Sequence, residues 1–307
     1  MSRLPNHTHR DQRLECISPT VKGIVMFTDY VEHERPQTKT SIYDGEFSFK
    51  LFAIIALMHL AALCGLFWPW SAIDIVILGV LHVFFCLSIS IGYHRYLAHG
   101  AITPVRWFGR VLAFVGNLNF EGGPLFWAAA HRAHHKSTES FGDPHTAIRG
   151  FWWSHVAWMF YSEPNGFSLR KSPRLIPDLL RDPYLKFIEK YSLELNLAVL
   201  GLAALGFMLI HRIDIFFWAF PIRIVTVWHA TWAINSVMHG ARFDPRKTPK
   251  GIRNLRLFNL LSAGEGSHLN HHERPIYTHG RTWTDFELVG PLILLLHRCR
   301  FIKSIRR

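Results

Sequence analysis

Two pairs of long apolar runs constrain this chain more than any other feature. Residues 51–70 (LFAIIALMHLAALCGLFWPW) and 73–93 (IDIVILGVLHVFFCLSISIGY) are nearly free of charge. Each has about 20 residues, enough to cross a hydrocarbon core of roughly 30 Å as a helix. Between them Pro69 breaks the helix, and Trp68 and Trp70 suit a membrane–water interface. A second pair, 193–210 and 215–238, is joined by the short turn His211-Arg212-Ile213-Asp214. The pattern predicts two helical hairpins, with four spans in all. Buried helices of a soluble domain are the alternative, and paired runs of this length weigh against it.

Charge sets the expected orientation. The two hairpin turns together contain one Lys or Arg, Arg212, whereas residues 1–48, 94–190 and 239–307 carry nearly all the rest. Basic loops stay inside, which predicts an integral, multi-pass membrane protein with both termini and the middle region in the cytoplasm (inner membrane if bacterial). A formal net charge of +12 beside such spans points to anionic lipid and an acidic redox partner, not nucleic acid. Residues 1–48 read as a polar arm and 49–307 as one membrane domain. Segments 104–128 and 281–297 mix Arg and Glu with aromatic and aliphatic residues and are predicted to be interfacial amphipathic helices. Arg223, well inside the fourth span, is expected to face the protein interior. The four cysteines form no CxxC pair and suggest neither a disulfide framework nor a zinc ribbon.

Nine of the 20 histidines are grouped at the span ends expected to be cytoplasmic. His94 and His99 close span two. His131, His134 and His135 follow the first interfacial segment, His268, His271 and His272 follow span four, and His239 ends span four within Asn235-Ser-Val-Met-His239. Residues at i, i+3 and i+4 share one helix face, so each HxxHH box presents three imidazoles to one side, and Asn235 shares a face with His239. His94 and His99 are five apart, about 140° around an ideal α-helix. Both turn inward only if the helix ends or unwinds near Gly92, or if they approach two metals from different sides. Imidazole suits Fe, Zn, Cu and Ni. Nine nitrogens suit two ions better than one, and the absence of Cys from every box argues against structural zinc. Redox iron that keeps a position open for oxygen fits best. His145, His155 and His229 read as neighbours of the ligands.

These boxes, with Gly142-Asp143-Pro144-His145, Arg149-Gly150-Phe151-Trp152-Trp153-Ser154-His155-Val156 and Gly264-Glu265-Gly266, resemble the membrane-bound acyl desaturases of the delta-9 type over about residues 50–285. The motif style is closest to bacterial, cyanobacterial and plant members. The resemblance implies an all-α fold of four spans, with a cytoplasmic helical cap holding a di-iron site. It implies as metal ligands His94, His99, His131, His134, His135, His239, His268, His271 and His272, with Asn235 reaching a metal through water. It further implies O2 as co-substrate, and a separate electron carrier (ferredoxin or cytochrome b5-like) with its reductase. The expected product is a cis double bond, delta-9 by analogy, in an acyl chain carried on CoA or glycerolipid. His82 and Cys86 are the expected tunnel floor. The basic pair that animal acyl-CoA desaturases carry after Ser154-His155-Val156 is missing here, while Arg132 and Lys136, beside the second box, are the candidate headgroup contacts. A membrane hydroxylase or ketolase is the rival enzyme, and a metal transporter the rival that is not an enzyme.

Overall fold

The computed structural model describes residues 44–240, 251–276 and 288–306. Most of the 1–48 arm and residues 281–287 of the second interfacial segment lie outside the described residues. All the described residues belong to one compact unit, Ser41–Arg307.

Among the described residues, four helices have the length and apolarity to cross a membrane: Phe49–Leu66, Ala72–Ala98, Ser192–Leu209 and Ile213–Val237. The first is α1, and Ser48 caps it, its Oγ accepting from Leu51 N. The second begins as α2 (Ala72–Leu87) and continues as an 11-residue π-helix, Ser88–Ala98. At its start Ser71 N and Oγ both donate to Asp74, which is fully buried. The third is α7 (Ser192–Leu209). The fourth runs through α8 (Ile213–Phe217), a π-turn around Pro221 and α9 (Arg223–Val237). In α7 the buried residue is Asn196, while Leu202, Leu205, Met208 and Leu209 are exposed. A face this apolar with so little protein against it belongs in lipid rather than water.

Between the hairpins lie α3 (Arg106–Asn117), α4 (Pro124–Ser137), α5 (Phe151–His155) and α6 (Pro183–Lys190), and after span four come α10 (Arg256–Leu261), α11 (His268–Glu273) and α12 (Val289–Arg298). The segment 104–128, expected to be helical, holds α3 and the start of α4. It breaks at Gly122-Gly123, where Gly122 takes φ +91° and Pro124 opens α4 as its first residue. The α12 helix begins in the other predicted interfacial segment and ends one residue beyond it. The all-α expectation needs one correction: β1 (Ile102–Pro104) and β2 (Ile302–Ile305) pair antiparallel.

Packing places the histidine-bearing elements side by side. The π-helix packs against α3 and α4 through Ile89, Tyr93, Leu97, Ala113, Leu125 and Ala129, all buried. Arg223 faces inward as expected, at 1% exposure. Its guanidinium reaches Ala219 O and Leu118 O and lies 3.7 Å from the Phe85 ring centroid. Before α11 the backbone is tight at Gly266, where an added Cβ would fall inside 3 Å of Leu255 O and of Asn259 N. Gly266→Ala should therefore displace the third box, lowering both the thermal midpoint in detergent and the metal content of the purified protein; unchanged metal content would refute this.

Candidate metal centre

All nine histidines converge. Nitrogens of His94, His99, His131 and His271 lie within 4.8 Å of one another, and those of His134, His239, His268 and His272 form a second such group. His135 joins the first group through its Nε2, 2.9 Å from His271 Nε2, and stacks on His272 at 4.3 Å. Other Nε2–Nε2 spacings are 3.0 Å for His94–His271, 2.8 Å for His99–His131, 3.2 Å for His134–His272 and 2.7 Å for His239–His268. Nitrogens about 2.1 Å from a shared ion lie about 3–4.2 Å apart, so both groups have the size of an ion's coordination shell.

The π-helix resolves the five-residue spacing. Its hydrogen bonds run i→i+5: His99 N donates to His94 O at 3.0 Å. The wider turn brings both rings to one face, 4.9 Å apart. The helix neither ends nor unwinds at Gly92. It widens where Ser88 Oγ bonds back to Phe85 O and Gly92 lies against the Leu112 carbonyl.

Three carboxylates orient the rings. His94 Nδ1 meets Glu265 at 2.9 Å, His134 Nδ1 meets Asp143 at 2.9 Å, and His239 Nδ1 meets Glu139 at 3.0 Å. An ionised carboxylate only accepts, so each Nδ1 carries the proton and each Nε2 turns a lone pair inward, a common arrangement behind metal-bound imidazole. The Asn165 side chain donates to Ser140 O and Asp143 O and holds the Asp143 loop in place. Burial pushes the Glu265 carboxyl up, but Arg95 and then His94 outweigh it and hold the group well below the usual carboxylate range. Burial first, and then the neighbouring imidazoles, push His99, His131, His135, His268, His271 and His272 well below the ordinary imidazole range. Imidazole nitrogens gathered in this way are the donors a borderline metal takes. The sequence reading missed these carboxylates as orienting groups, although Asp143 and Glu265 sit in quoted motifs and Glu139 follows His135 by four residues.

A cavity of about 50 Å³ opens beside both groups, lined by Cys86, Ile89, Trp127, Thr231, Ile234 and Asn235 as well as by histidines. Asn235 thus reaches the site, and so does Cys86. His82 is instead tied to Leu261 O at 2.7 Å and Thr226 at 3.3 Å. The headgroup expectation for Arg132 needs correcting. Its five N–H groups are engaged by Ala98 O, Leu97 O, Leu175 O and both oxygens of Asp178, so it braces α4 against its neighbours. Lys136 is exposed. Behind the cavity, Trp127 stacks on His131 at 5.1 Å and donates to Glu121. Burial raises Glu121 to about 7, against hydrogen bonds from Thr231 and Trp127.

Four membrane-length helices and two imidazole groups suited to a metal define a helical membrane protein built around a metal centre. Comparison with known proteins makes the class specific. The fatty acid desaturase family model matches residues 70–293. The chain is similar to an sn-2 palmitoyl-lipid 9-desaturase of Nostoc sp. (strain 36), at 34% identity over 80% of this chain and 85% of that one. It is also similar to an sn-1 stearoyl-lipid 9-desaturase of Anabaena variabilis, at 32% over 78% and 86%, and to an acyl-CoA 5-desaturase of Anemone leveillei, at 32% over 81% and 77%. The chain belongs to the fatty acid desaturase family and is an oxidoreductase acting on fatty acyl chains.

Replacing Asp143, Glu139 or Glu265 by Ala should weaken metal retention roughly 10- to 100-fold, read as metal content after dialysis against a chelator; wild-type retention in all three would count against the orienting role. Glu121 is an acid raised on folding, so the folded state binds more protons and stability falls as pH rises from about 4.5 to about 7. Glu121→Gln should flatten that part of the melting-temperature profile; an unaltered profile would show that Glu121 titrates normally.

Proposed function

We propose that the domain 49–307 inserts a cis double bond, at delta-9, into an acyl chain carried on a glycerolipid, using two irons held by the nine histidines. The ligand assignment rests on the convergence of eight rings in two groups of four, with His135 against His271 and His272. Bound iron would supply the activation of O2 needed to remove hydrogen from an unactivated methylene. In the overall reaction the chain loses two hydrogens, and O2, two electrons and two protons yield two waters. The electrons come from a separate carrier, ferredoxin or cytochrome b5-like, with its reductase. Both termini and the histidines lie on the cytoplasmic side in this reading, which the basic loops support.

The protein contributes position and dryness. Carboxylates Glu265, Asp143 and Glu139 retain the Nδ1 protons, which fixes which imidazole nitrogen faces the metal. Asn235 joins through water, on the cavity wall it shares with His268 and His134. Cys86, Ile89 and Ile234 give the same cavity an apolar side suited to methylenes. Cys86, buried in span two, serves as the stop for the chain end, with His82 one turn further from His94. The printed names of the similar proteins of Nostoc and Anabaena, both lipid desaturases, favour a lipid-linked substrate over CoA. Lys136 remains as the headgroup contact.

Labelled stearate fed to cells expressing the chain tests this directly. The expected result is a labelled monoene with its double bond at carbon 9, found first in glycerolipid and lost in His271→Ala. A labelled hydroxy acid would overturn desaturation in favour of hydroxylation, and label appearing first in acyl-CoA would overturn the carrier. Cys86→Trp should shift the preferred chain by two or more carbons toward shorter substrates, as read by product chain length; an unshifted preference would remove Cys86 from the tunnel floor.

A further inference from the structure

Three histidines outside the set of nine form a ladder on another face of the fourth span. His59 of α1 and His229 of α9 face each other, Nε2 to Nε2, at 3.2 Å. His229 Nδ1 lies 2.9 Å from His155 Nε2 on α5, and His155 Nδ1 lies 2.9 Å from Ser236 Oγ. Trp228 and Trp232 stack on each other, and His59 lies against both. The inner end, His155, is buried at 6% exposure, whereas His229 is exposed and His59 partly so. Imidazoles at the surface of membrane-spanning helices are costly, and such positions usually serve a function.

Counting protons shows what the ladder can do. His59 Nδ1 is 2.7 Å from Ile55 O, which only accepts, so Nδ1 carries the proton and Nε2 offers a lone pair. Ser236 Oγ has one proton and two acceptors in reach, His155 Nδ1 at 2.9 Å and Trp232 O at 3.2 Å. Given to His155, that proton leaves His155 and His229 each protonated on Nε2, and the ladder closes on His59. Given to Trp232 O, it leaves both rings protonated on Nδ1. His59 Nε2 and His229 Nε2 then face each other as two lone pairs at the open end. Both arrangements hold the same number of protons.

We propose that His59 and His229 form a binding site for a divalent transition-metal ion such as Zn2+ or Ni2+, separate from the nine-histidine centre and opened by this tautomer shift. Two nitrogens 3.2 Å apart match adjacent ligands on an ion about 2.1 Å from each. Each ligand's other nitrogen donates to a fixed acceptor, Ile55 O for His59 and His155 Nε2 for His229, as metal-bound imidazoles commonly do. Burial, and then His229, lower His155 to about 4, so its ring is neutral and free to change tautomer. Because the protons only change seats, binding releases none to solvent. The ion ties α1 to α9.

The test titrates Zn2+ alone into the iron-loaded protein in detergent at pH 8, following zinc, iron, melting temperature and proton release. The expected result is one zinc per chain added to an unchanged iron content, with a raised melting temperature and no proton released. His59→Gln and His229→Gln should each weaken the added zinc at least tenfold while keeping wild-type iron, and His229→Cys should restore binding. Wild-type zinc affinity in both Gln variants, zinc that displaces iron, or no added zinc in the wild type would each overturn the proposal; release of one proton per zinc would overturn the tautomer shift.

Discussion

Holding nine imidazoles in one place, six of them driven well below the ordinary imidazole range by burial and then by one another, is the constraint on which the rest of this structure depends. Buried rings repel protons when their neighbours are also imidazoles, and that repulsion keeps the lone pairs available. Neutral rings still have two possible tautomers, so something must choose between them. Glu265, Asp143 and Glu139 make that choice for three rings drawn from three different segments. A buried carboxylate has its own solvation cost. Glu265 meets it by gathering Arg95, Ser90 and His94 from a single stretch of helix. The site and the end of span two are thus joined through Glu265.

The π-helix is the backbone counterpart of this arrangement. An α-helix would point His94 and His99 in different directions, and eleven residues of wider turn bring them together. Such a turn is tolerated because its neighbours fit it closely. Tyr93 fills the notch left by Gly116, and Gly92 lets the Leu112 carbonyl of α3 approach. Ser88, Asn119 and Phe85 supply side-chain and carbonyl partners where the hydrogen-bond ladder changes register. Local distortion of this kind is frequent at functional sites.

Much of the molecule was legible from residues alone, for reasons that can be named. The four spans were visible because hydrocarbon imposes a length and forbids charge; the described helices begin and end within a few residues of the runs read from the sequence, apart from the longer end of span two. The HxxHH boxes were visible because i, i+3, i+4 spacing is itself geometry. The π-helix was not, since hydrogen-bond register leaves little trace in composition and the His94–His99 interval admitted several explanations. Nor were the orienting carboxylates: which acid meets which ring depends on how the loop 138–148 folds back, and Asn165, distant in sequence, decides that. Arg132 misled for a related reason. Beside a histidine box it looks like a ligand for phosphate, and only the position of Asp178 shows it is already occupied.

At the far end of the spans, Asp74 lies fully buried at the start of span two. Arg212, in the turn of the second hairpin, comes within 3.9 Å of it while also holding Asp214. A ribosome delivers Asp74 long before Arg212, so the first hairpin enters the bilayer carrying a carboxylate whose countercharge does not yet exist. Ser71 shields it in the interval. The arrival of Arg212 then favours seating the second hairpin against the first over leaving the two apart. This pair thereby links the two hairpins at the end of the spans away from the histidines.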